Sequence, residues 1–517
     1  MKNSPVIHPF LFAVFPILFL FAHNVGQVSS SEILLPTAIV LGFTLLLLLL
    51  SGLVLKNSKK AAIIVSIFLV LFFSYGHVLE AIRTGWRIGR ISSPLLHKYL
   101  LPSWSLLFIC ITYFIIKTRR DLHNFTKILN IVATCLVAIS LINIVPYKLK
   151  TWAISRNIKS TESIGINAVD SMKEDILPDI YYIILDRYAS TSTLKEVYHF
   201  DNNEFVNYLS SRGFYVASKS RSNYLGTTHS LVSSLNMEYL DYLSDKVGKE
   251  SNDWTLLYAM LQNYQVWRFL KSKGYKFIHL GSGWHPMSRN KYADINFNLP
   301  LSLEFPLLLY RTTMFYPIDT RFSITELGNR RLRQRKRVLY KFDKLAEISS
   351  IKEPVFVFAH MMLPHEPFVF DRNGNPLSEE EAEKKSRAVN YVDQLIFTNK
   401  KIEVLIDKLL SKSQSSPIII LQSDEGPYPP RQVDHKLSNW KQATEGELRQ
   451  KLTILNAYYL PDVDKNVLYP SITPVNTFRL IFNLYFDTHF ELLPDKTYFF
   501  TDGLYDFYDV TDKVKYD

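Results

Sequence analysis

Two patterns of apolar residues divide the chain. The first part holds five long apolar runs, roughly Pro5–Ala22, Ile33–Leu55, Ala61–Val78, Trp104–Lys117 and Ile128–Val145. A helix needs about 20 apolar residues to span a membrane. The first run lacks a small-residue cleavage site and another apolar run follows closely, so we interpret it as a retained helix rather than a signal peptide. The pattern predicts a transmembrane domain of five helices over residues 1–147.

Basic residues between these runs predict their orientation. Eight Lys and Arg residues precede the first run or lie in the loops 56–60 and 117–127, whereas loop 26–32 has none and loop 83–98 has four. The positive-inside rule then places the N terminus in the cytoplasm and the C-terminal part outside the plasma (inner) membrane. Loop 83–98 contains RTGWRIGR, with Trp86. It is either an ordinary solvated loop or a site for an anionic lipid headgroup.

The rest of the chain alternates short apolar runs with amphipathic stretches. The runs at 179–186, 275–281, 354–362 and 417–424 have the continuous apolar character of buried parallel strands. Helical patterns separate them, for example over 203–213, 256–274 and 386–412. Strands that alternate with helices predict an α/β domain over 177–517, with a mostly parallel sheet sandwiched by helices. The polar residues 148–176 predict a juxtamembrane linker or helix.

Composition narrows the possible partners. The formal net charge of +11 comes from 59 Lys and Arg against 48 Asp and Glu, which by itself would suggest nucleic-acid binding. However, residues 1–147 carry +9 and the remainder only +2, so the excess belongs to the membrane segment and no nucleic-acid partner is expected. No GxxxxGK loop occurs, so no nucleotide is invoked. Cys110 and Cys135 lie in apolar runs and cannot form a disulfide framework.

Acidic residues follow two predicted strands at the rim where ligands bind in such sheets. Asp186 follows the first strand, and Asp424 and Glu425 follow the fourth. Converging carboxylates repel one another unless a cation neutralises them, although a single acid at a strand end is often only a helix N-cap. An all-oxygen ligand set favours Mg²⁺ or Mn²⁺ over Zn²⁺. These residues therefore predict a site for one divalent cation.

Hydroxyl residues lie in NYLGTTHSLVSSLN, residues 223–236, which predicts a Gly-containing loop running into a helix near Ser230. A helix N terminus stabilises anions through its free N–H groups and its dipole. A threonine bound there to a divalent cation would have a lowered pKa and could attack phosphorus. Alternatively, Thr227, Thr228 and Ser230 only cap the helix.

Ordered motifs in the second part resemble the landmarks of the alkaline phosphatase and sulfatase superfamily. They are LDRYAS at 185–190, TTHSLVSSLN at 227–236, FAHMMLPHEPF at 358–368, LQSDEG at 421–426 and TPVNTFRLIFN at 473–483. With five spans in front, the chain resembles lipoteichoic acid synthases and related membrane phosphotransferases. The resemblance implies that Asp186 is a metal ligand, that Thr227 is the nucleophile and also touches the metal, and that Asp424 is the Asp of an Asp-His pair. Thr228 is the alternative nucleophile in a shifted register.

Three histidines and two differences from the usual motifs of this superfamily add to the resemblance. His360 and His365 match histidines that approach the substrate phosphate or sulfate, and His435 is a further candidate ligand or proton donor. The pair at 424–425 is Asp-Glu where the family usually has Asp-His; Glu425 can still bind a cation, which weakens the case for zinc. TTHSL also lacks the C/S-x-P-x-R context that sulfatases need, so sulfate-ester hydrolysis is not expected.

Together these features predict a membrane-anchored, metal-dependent phosphotransferase or phosphodiesterase. Its partner would be a membrane lipid or lipid-linked substrate that carries a phosphoryl group of the phosphoglycerol or phosphoethanolamine type. Two alternatives remain: a catalytically inactive lipid-binding or regulatory membrane protein, and a hydrolase of soluble phosphoesters. No oligomeric state follows from the sequence.

Overall fold

The computed structural model describes residues 5–26, 28, 30–85, 93–161, 177–284, 286–299, 304–322, 324–413 and 415–515. The chain divides into two compact units. The first comprises Met1–Lys159 and Pro300–Arg330, and the second comprises Ser160–Leu299 and Arg331–Asp517. Residues 86–92, which include Trp86 of the predicted basic loop, and residues 162–176 of the predicted linker lie outside the described residues.

Five helices form the N-terminal part of the first unit: α1 (His8–His23), α2 (Leu34–Leu55), α3 (Ser58–Gly85), α4 (Ser93–Lys117) and α5 (His123–Thr161). Each predicted apolar run is therefore helical. Four of these helices are long and apolar enough to cross a membrane, and α1 is a shorter apolar helix of 16 residues. Large side chains of α2 such as Leu53 are exposed, as a lipid-facing helix requires. This is the organisation of a multi-pass membrane protein.

The remaining elements follow in chain order. The helices are α6 (Thr191–Tyr198), α7 (Asn203–Ser211), α8 (Thr227–Asn236), α9 (Leu243–Val247), α10 (Thr255–Gln262), α11 (Gln265–Ser272), α12 (Glu304–Thr312), α13 (Tyr316–Phe322), α14 (Arg330–Ile348), α15 (Glu379–Glu383), α16 (Arg387–Lys412), α17 (Pro430–Val433), α18 (Glu445–Leu452), α19 (Pro474–Tyr485) and α20 (Thr511–Val514). The strands are β1 (Ile180–Leu185), β2 (Tyr215–Val216), β3 (Lys276–Leu280), β4 (Ile295–Asn296), β5 (Val355–Met361), β6 (Ile418–Gln422), β7 (Asn456–Tyr459), β8 (Tyr498–Phe500) and β9 (Phe507–Asp509).

The second unit is built on a mostly parallel sheet, which confirms the predicted fold class. Its strand order is β2-β7-β6-β1-β5-β3-β4, and all four predicted strands lie in its centre as β1, β3, β5 and β6. These four pair in parallel, whereas β7 runs antiparallel to β6 and to β2. Leu185 at the end of β1 is in register with Met361 at the end of β5. The carboxyl ends of the central strands therefore meet at one rim.

Strand β1 explains why the central runs are continuously apolar. All six of its residues are buried. Tyr182 and Ile184 enter one hydrophobic cluster, while Ile183 and Leu185 enter the cluster on the opposite face of the sheet. A strand covered by helices on both faces has no polar side, so its sequence shows no alternation.

One predicted helix is wrong in its continuity. The apolar pattern over 256–274 predicts a single helix, but the structure forms α10 and α11 with a break between them. Tyr264 is extended, with φ −96° and ψ 158°. The N–H of Gln265 donates to Asn236 Oδ1 at 3.2 Å, so a partner distant in sequence satisfies the start of the second helix. The predicted helix over 386–412 is confirmed by α16.

Candidate active site

Three buried side chains form a group that can hold a metal ion. Asp186 follows β1, His360 lies in β5, and Asp424 follows β6, and their ligand atoms lie within 4.8 Å of one another. His360 Nε2 is 3.2 Å from Asp186 Oδ2. The parallel pairing of β1 with β5 and with β6 brings the three together, because adjacent parallel strands end at the same rim. The predicted convergence of Asp186 and Asp424 is thus present in the fold.

The donor set fits a cation. Asp186 Oδ1 and His360 Nδ1 are buried without a hydrogen-bond partner among the described residues, and His360 Nε2 contacts only Asp186 Oδ2. Buried polar atoms are normally satisfied, so unpaired atoms beside two buried carboxylates indicate a missing positive partner. Two carboxylates and an imidazole are common ligands of divalent metals.

Thr227 is the first residue of α8 and lies beside this group. Its Oγ1 donates to Asp424 Oδ2 at 2.5 Å. Gly226 precedes it with a φ of 89°, a left-handed conformation that favours glycine and turns the chain into the helix. No side chain caps α8 within the described residues, so Thr227 is not held as a capping residue. Thr228 is buried and is not hydrogen-bonded to either acid in that part of the chain.

Glu425 has partners of its own next to the metal group. Its Oε1 lies 2.5 Å from the ammonium nitrogen of Lys451, and both side chains are almost fully buried. Its Oε2 accepts the backbone N–H of Gly226 at 2.7 Å. Arg187 Nε is 3.6 Å from Oε1. Glu425 therefore neutralises two cations and holds the residue before Thr227, whereas His360 takes the third place among the grouped ligands.

Arg187 and Lys451 are functional candidates that sequence reasoning missed. Arg187 adopts a φ of 62°, a strained conformation for a non-glycine residue. Its backbone N–H donates to Asp424 Oδ1 at 3.2 Å. Both cations contact the ring of Tyr428, whose centroid is 4.2 Å from the Arg187 guanidinium and 3.6 Å from Lys451 Nζ. Arg187 directly follows the first-strand acid, which was a usable signal; nothing in the helical stretch EGELRQKL marks Lys451.

The surroundings of Asp186 and Asp424 shift the pKa values of these two aspartates in opposite directions. Burial alone would raise the pKa of Asp186, but the histidines His365 and His360 and the guanidinium of Arg187 lower it below its usual value. Burial, Asp186 and Glu425 raise the pKa of Asp424 well above its usual value. Such an accumulation of carboxylates at one buried point requires compensating positive charge.

The two lysines of this rim are also perturbed. Burial lowers the pKa of Lys451 to about 8, against the opposing charge of Glu425. Burial lowers the pKa of Lys341 well below its usual value. Lys341 Nζ donates to the carbonyl of His360 at 2.5 Å, so it fixes the strand segment that carries this ligand.

The predicted histidines divide into three cases. His360 belongs to the metal group. His365 Nδ1 contacts the carbonyl of Glu366. Burial lowers the pKa of the His365 ring, and the charge of Asp186 opposes that shift. His365 is therefore close enough to interact electrostatically with Asp186 but is not part of the metal group. His435 is exposed with a φ of 55°, and its ring makes no hydrogen bond or ion pair with the described residues. The structure does not bring His435 to the acids.

Comparisons with known proteins give structural neighbours only. No family model and no curated protein matches the chain. Similar solved structures include the zinc complex of the C-terminal periplasmic domain of EcEptC from Escherichia coli, with 14% identity over 60% of this chain and 83% of that chain and a TM-score of 0.41. The lipooligosaccharide phosphoethanolamine transferase A (EptA) from Neisseria meningitidis has 12% identity over 94% and 96%, with a TM-score of 0.39. The lipoteichoic acid synthase LtaP from Listeria monocytogenes has 11% identity over 63% and 80%, with a TM-score of 0.40.

These neighbours include a lipoteichoic acid synthase, the group that the motifs of this sequence resemble.

Proposed function

We propose that this chain is a membrane-anchored, metal-dependent phosphotransferase or phosphodiesterase that acts on a lipid-borne phosphoryl group through Thr227. One observation carries the proposal: the Thr227 hydroxyl lies 2.5 Å from Asp424, at the start of α8 and beside the buried group of Asp186, His360 and Asp424. A hydroxyl, a proton acceptor and a helix N terminus in one place are the parts that nucleophilic attack on phosphorus needs.

The reaction balances through the residues of this chain. Thr227 Oγ1, which donates a hydrogen bond to Asp424 Oδ2, gives its proton to that carboxylate and attacks phosphorus. The bond from phosphorus to the lipid alcohol breaks, and diacylglycerol leaves with the proton that Asp424 took from Thr227. Thr227 then carries the phosphoglycerol or phosphoethanolamine group as a phosphodiester, and this group passes to the oxygen of an acceptor hydroxyl or of water, whose proton returns to Thr227 Oγ1 by way of Asp424. The free N–H groups of the first turn of α8 face the phosphoryl oxygens and stabilise their charge.

A divalent cation held by Asp186, His360, Asp424 and Thr227 would supply positive charge that lowers the pKa of the threonine hydroxyl and offsets the charge on the phosphoryl oxygens. Three of these four donors are oxygens, which supports Mn²⁺ or Mg²⁺ ahead of Zn²⁺. The imidazole of His360 makes the preference for Mn²⁺ or Mg²⁺ over Zn²⁺ weaker than it would be with oxygen ligands alone, because imidazole also binds zinc well.

The anchor supports a membrane substrate. Four helices able to cross a bilayer keep the second unit at the membrane, which raises the local concentration of a lipid substrate far above that of a soluble one. The distribution of basic residues places this unit outside the cytoplasmic membrane. Threonine at the nucleophile position supports phosphoryl transfer rather than sulfate-ester hydrolysis.

The test uses the full chain in nanodiscs that contain labelled phosphatidylglycerol or phosphatidylethanolamine, and measures release of diacylglycerol. We expect Thr227→Ala to reduce the rate by a factor on the order of 10³, and the neighbouring Thr228→Ala to keep it. Equal loss from Thr228→Ala alone would place the nucleophile one residue later. A soluble aryl phosphate is assayed in parallel, and its preferential cleavage would favour the hydrolase of soluble esters.

Metal content completes the test. Wild-type protein dialysed against Mn²⁺, Mg²⁺ and Zn²⁺ should retain one divalent ion per chain, and Asp186→Asn should lose it while Thr227→Ala keeps most of it. If the wild type binds no divalent ion and Thr227→Ala changes no rate, the enzymatic proposal is refuted and an inactive lipid-binding protein is the better description.

A further inference from the structure

A segment that interrupts the α/β unit belongs to the membrane unit. We call the described residues of Pro300–Arg330, namely 304–322 and 324–330, the insert; they follow β4 in sequence and end at Arg330, the first residue of α14. Phe305 and Leu309 of α12 are buried in the same hydrophobic cluster as Phe21 of α1 and Phe73 of α3. The ring of Phe305 meets that of Phe21 edge to face, with centroids 6.2 Å apart.

Backbone contacts fix the insert on α3. The N–H of Met314 donates to the carbonyl of Phe72 at 2.9 Å. A Cβ added to Gly76 would lie 2.7 Å from the carbonyl oxygen of Arg311 and from Thr312 Cα. Glycine at this position therefore permits direct backbone contact between α3 and the end of α12.

These contacts define a depth in the bilayer. With a rise of about 1.5 Å per residue, Phe72 and Gly76 lie about 21 and 27 Å from the start of α3 at Ser58. The hydrocarbon layer is about 30 Å thick, so the contact lies near the end of α3 that is distant from Ser58. Phe21 lies next to the C-terminal end of α1, which is the same side. The insert thus sits at one boundary of the hydrocarbon layer.

The second half of the insert is tied to the first. Asp319 of α13 is fully buried. It accepts the backbone N–H of Thr325 at 2.5 Å and the Thr325 hydroxyl at 2.6 Å, and it also contacts the hydroxyl of Tyr310 on α12. The turn after α13 is therefore held close to the boundary by three bonds to one carboxylate.

Two large apolar side chains at the end of α13 and in the turn after it are exposed. Phe322 is 72% exposed and Ile324 is 56% exposed. Five exposed charged residues lie in the same segment: the arginines Arg311, Arg321 and Arg330 and the glutamates Glu304 and Glu326, so arginines are in excess at its surface. Exposed apolar residues flanked by arginines, at the level of a bilayer boundary, have the composition of an interfacial membrane element.

We propose that the insert is a lipid-binding surface whose occupant is the anionic headgroup layer of the bilayer that holds α1 and α3. Phe322 and Ile324 enter the boundary between headgroups and acyl chains. Arg311, Arg321 and Arg330 face the lipid phosphates. Continuity with the membrane helices selects this occupant over a soluble partner, because α12 packs on α1 and α3 and Asp319 bonds the turn that follows α13 to α12.

The test measures the depth of single nitroxide labels in the full chain. Cys110 and Cys135 are replaced by Ala, and labels are placed by Phe322→Cys, Ile324→Cys and, as a control in the second unit, Val467→Cys, whose native side chain is 40% exposed. All three positions are at the surface, so labelling should not disturb folding. Nanodiscs that hold one chain each exclude contact with a second copy. Power-saturation electron paramagnetic resonance gives collision rates with oxygen, which concentrates in lipid, and with a water-soluble nickel chelate.

We expect the oxygen-to-nickel accessibility ratio at positions 322 and 324 to be several-fold higher than at 467. Ratios equal to that of the control would overturn the proposal, since they would show these side chains in water. The arginine contribution is tested at position 322 in nanodiscs of phosphatidylglycerol or phosphatidylcholine. The ratio should be higher in phosphatidylglycerol, and the triple variant Arg311→Gln, Arg321→Gln, Arg330→Gln should remove that difference. Equal ratios in phosphatidylglycerol and phosphatidylcholine nanodiscs, measured without the arginine substitutions, would overturn the proposal that the arginines bind anionic headgroups.

Discussion

The buried ion pair between Lys451 and Glu425 predicts an asymmetric response to mutation. Lys451→Met removes the ammonium ion that lies 2.5 Å from Glu425 Oε1, in a place where the two side chains are 0% and 2% exposed. Glu425 cannot turn to solvent, because its other oxygen accepts the N–H of Gly226. Arg187 remains as a cation at 3.6 Å. The variant therefore leaves a buried carboxylate with only its weaker partner.

The magnitude follows from this geometry. Removing one partner of a buried pair costs about 3–5 kcal/mol, and the remaining Arg187 puts the expected loss at the lower end, about 3 kcal/mol. Glu425→Gln should cost less, because Lys451 can lose its proton: burial already lowers its pKa to about 8, and Glu425 is the charge that raises it. The double variant Lys451→Met, Glu425→Gln removes both charges and should be more stable than Lys451→Met alone.

The assay is thermal unfolding of the full chain in one detergent at a fixed scan rate. A loss of 3 kcal/mol corresponds to about 6 °C in a domain of this size. Lys384→Met provides a matched control, since Lys384 also pairs with a glutamate, Glu380, at 2.8 Å, but with side chains 67% and 81% exposed. Exposed pairs contribute about 0–1 kcal/mol, so the control should shift the midpoint by no more than about 2 °C. A shift of Lys451→Met as small as that of the control, or a double variant whose loss equals the sum of the single losses, would refute this account.

Two other positions give further predictions. Burial raises the pKa of Asp179 to about 6, so its protonated form stabilises the fold below about pH 4 and that contribution is lost as the pH rises through 6. Compared with Asp179→Asn, which can still accept the N–H of Val355, the wild type should lose about 1 kcal/mol of stability between pH 4 and 7, after discounting for solvent screening. A difference in unfolding temperature between the two proteins that does not change with pH would contradict this prediction. Gly76→Ala should cost about 1–3 kcal/mol because its Cβ meets the backbone of Arg311 at 2.7 Å, whereas Gly52→Ala, with nothing within 4 Å, should cost nothing; equal unfolding temperatures would contradict the contact.

The central sheet was predictable because each of its strands carries the pattern by itself. A run such as 179–186 is buried on both faces, so its sequence is apolar throughout and does not depend on which helix covers it. The break between α10 and α11 was not predictable, because Asn236 supplies the bond that starts the second helix from a distant part of the chain. The insert was missed for a similar reason: its short helices resemble any surface segment until Phe305 is seen against Phe21.

In the candidate site, too, the residues whose positions depend on nearby sequence were predictable, and contacts between distant parts of the chain were not. Asp186, Asp424 and Thr227 could be placed because strand ends and a helix start fix them, and the structure brings them together. The role of Glu425 could not, since its partner Lys451 lies in a different helix and only the fold reveals the contact. That Glu425 is a metal ligand therefore stays a prediction. Its contacts with Lys451 and with the N–H of Gly226 do not favour that role.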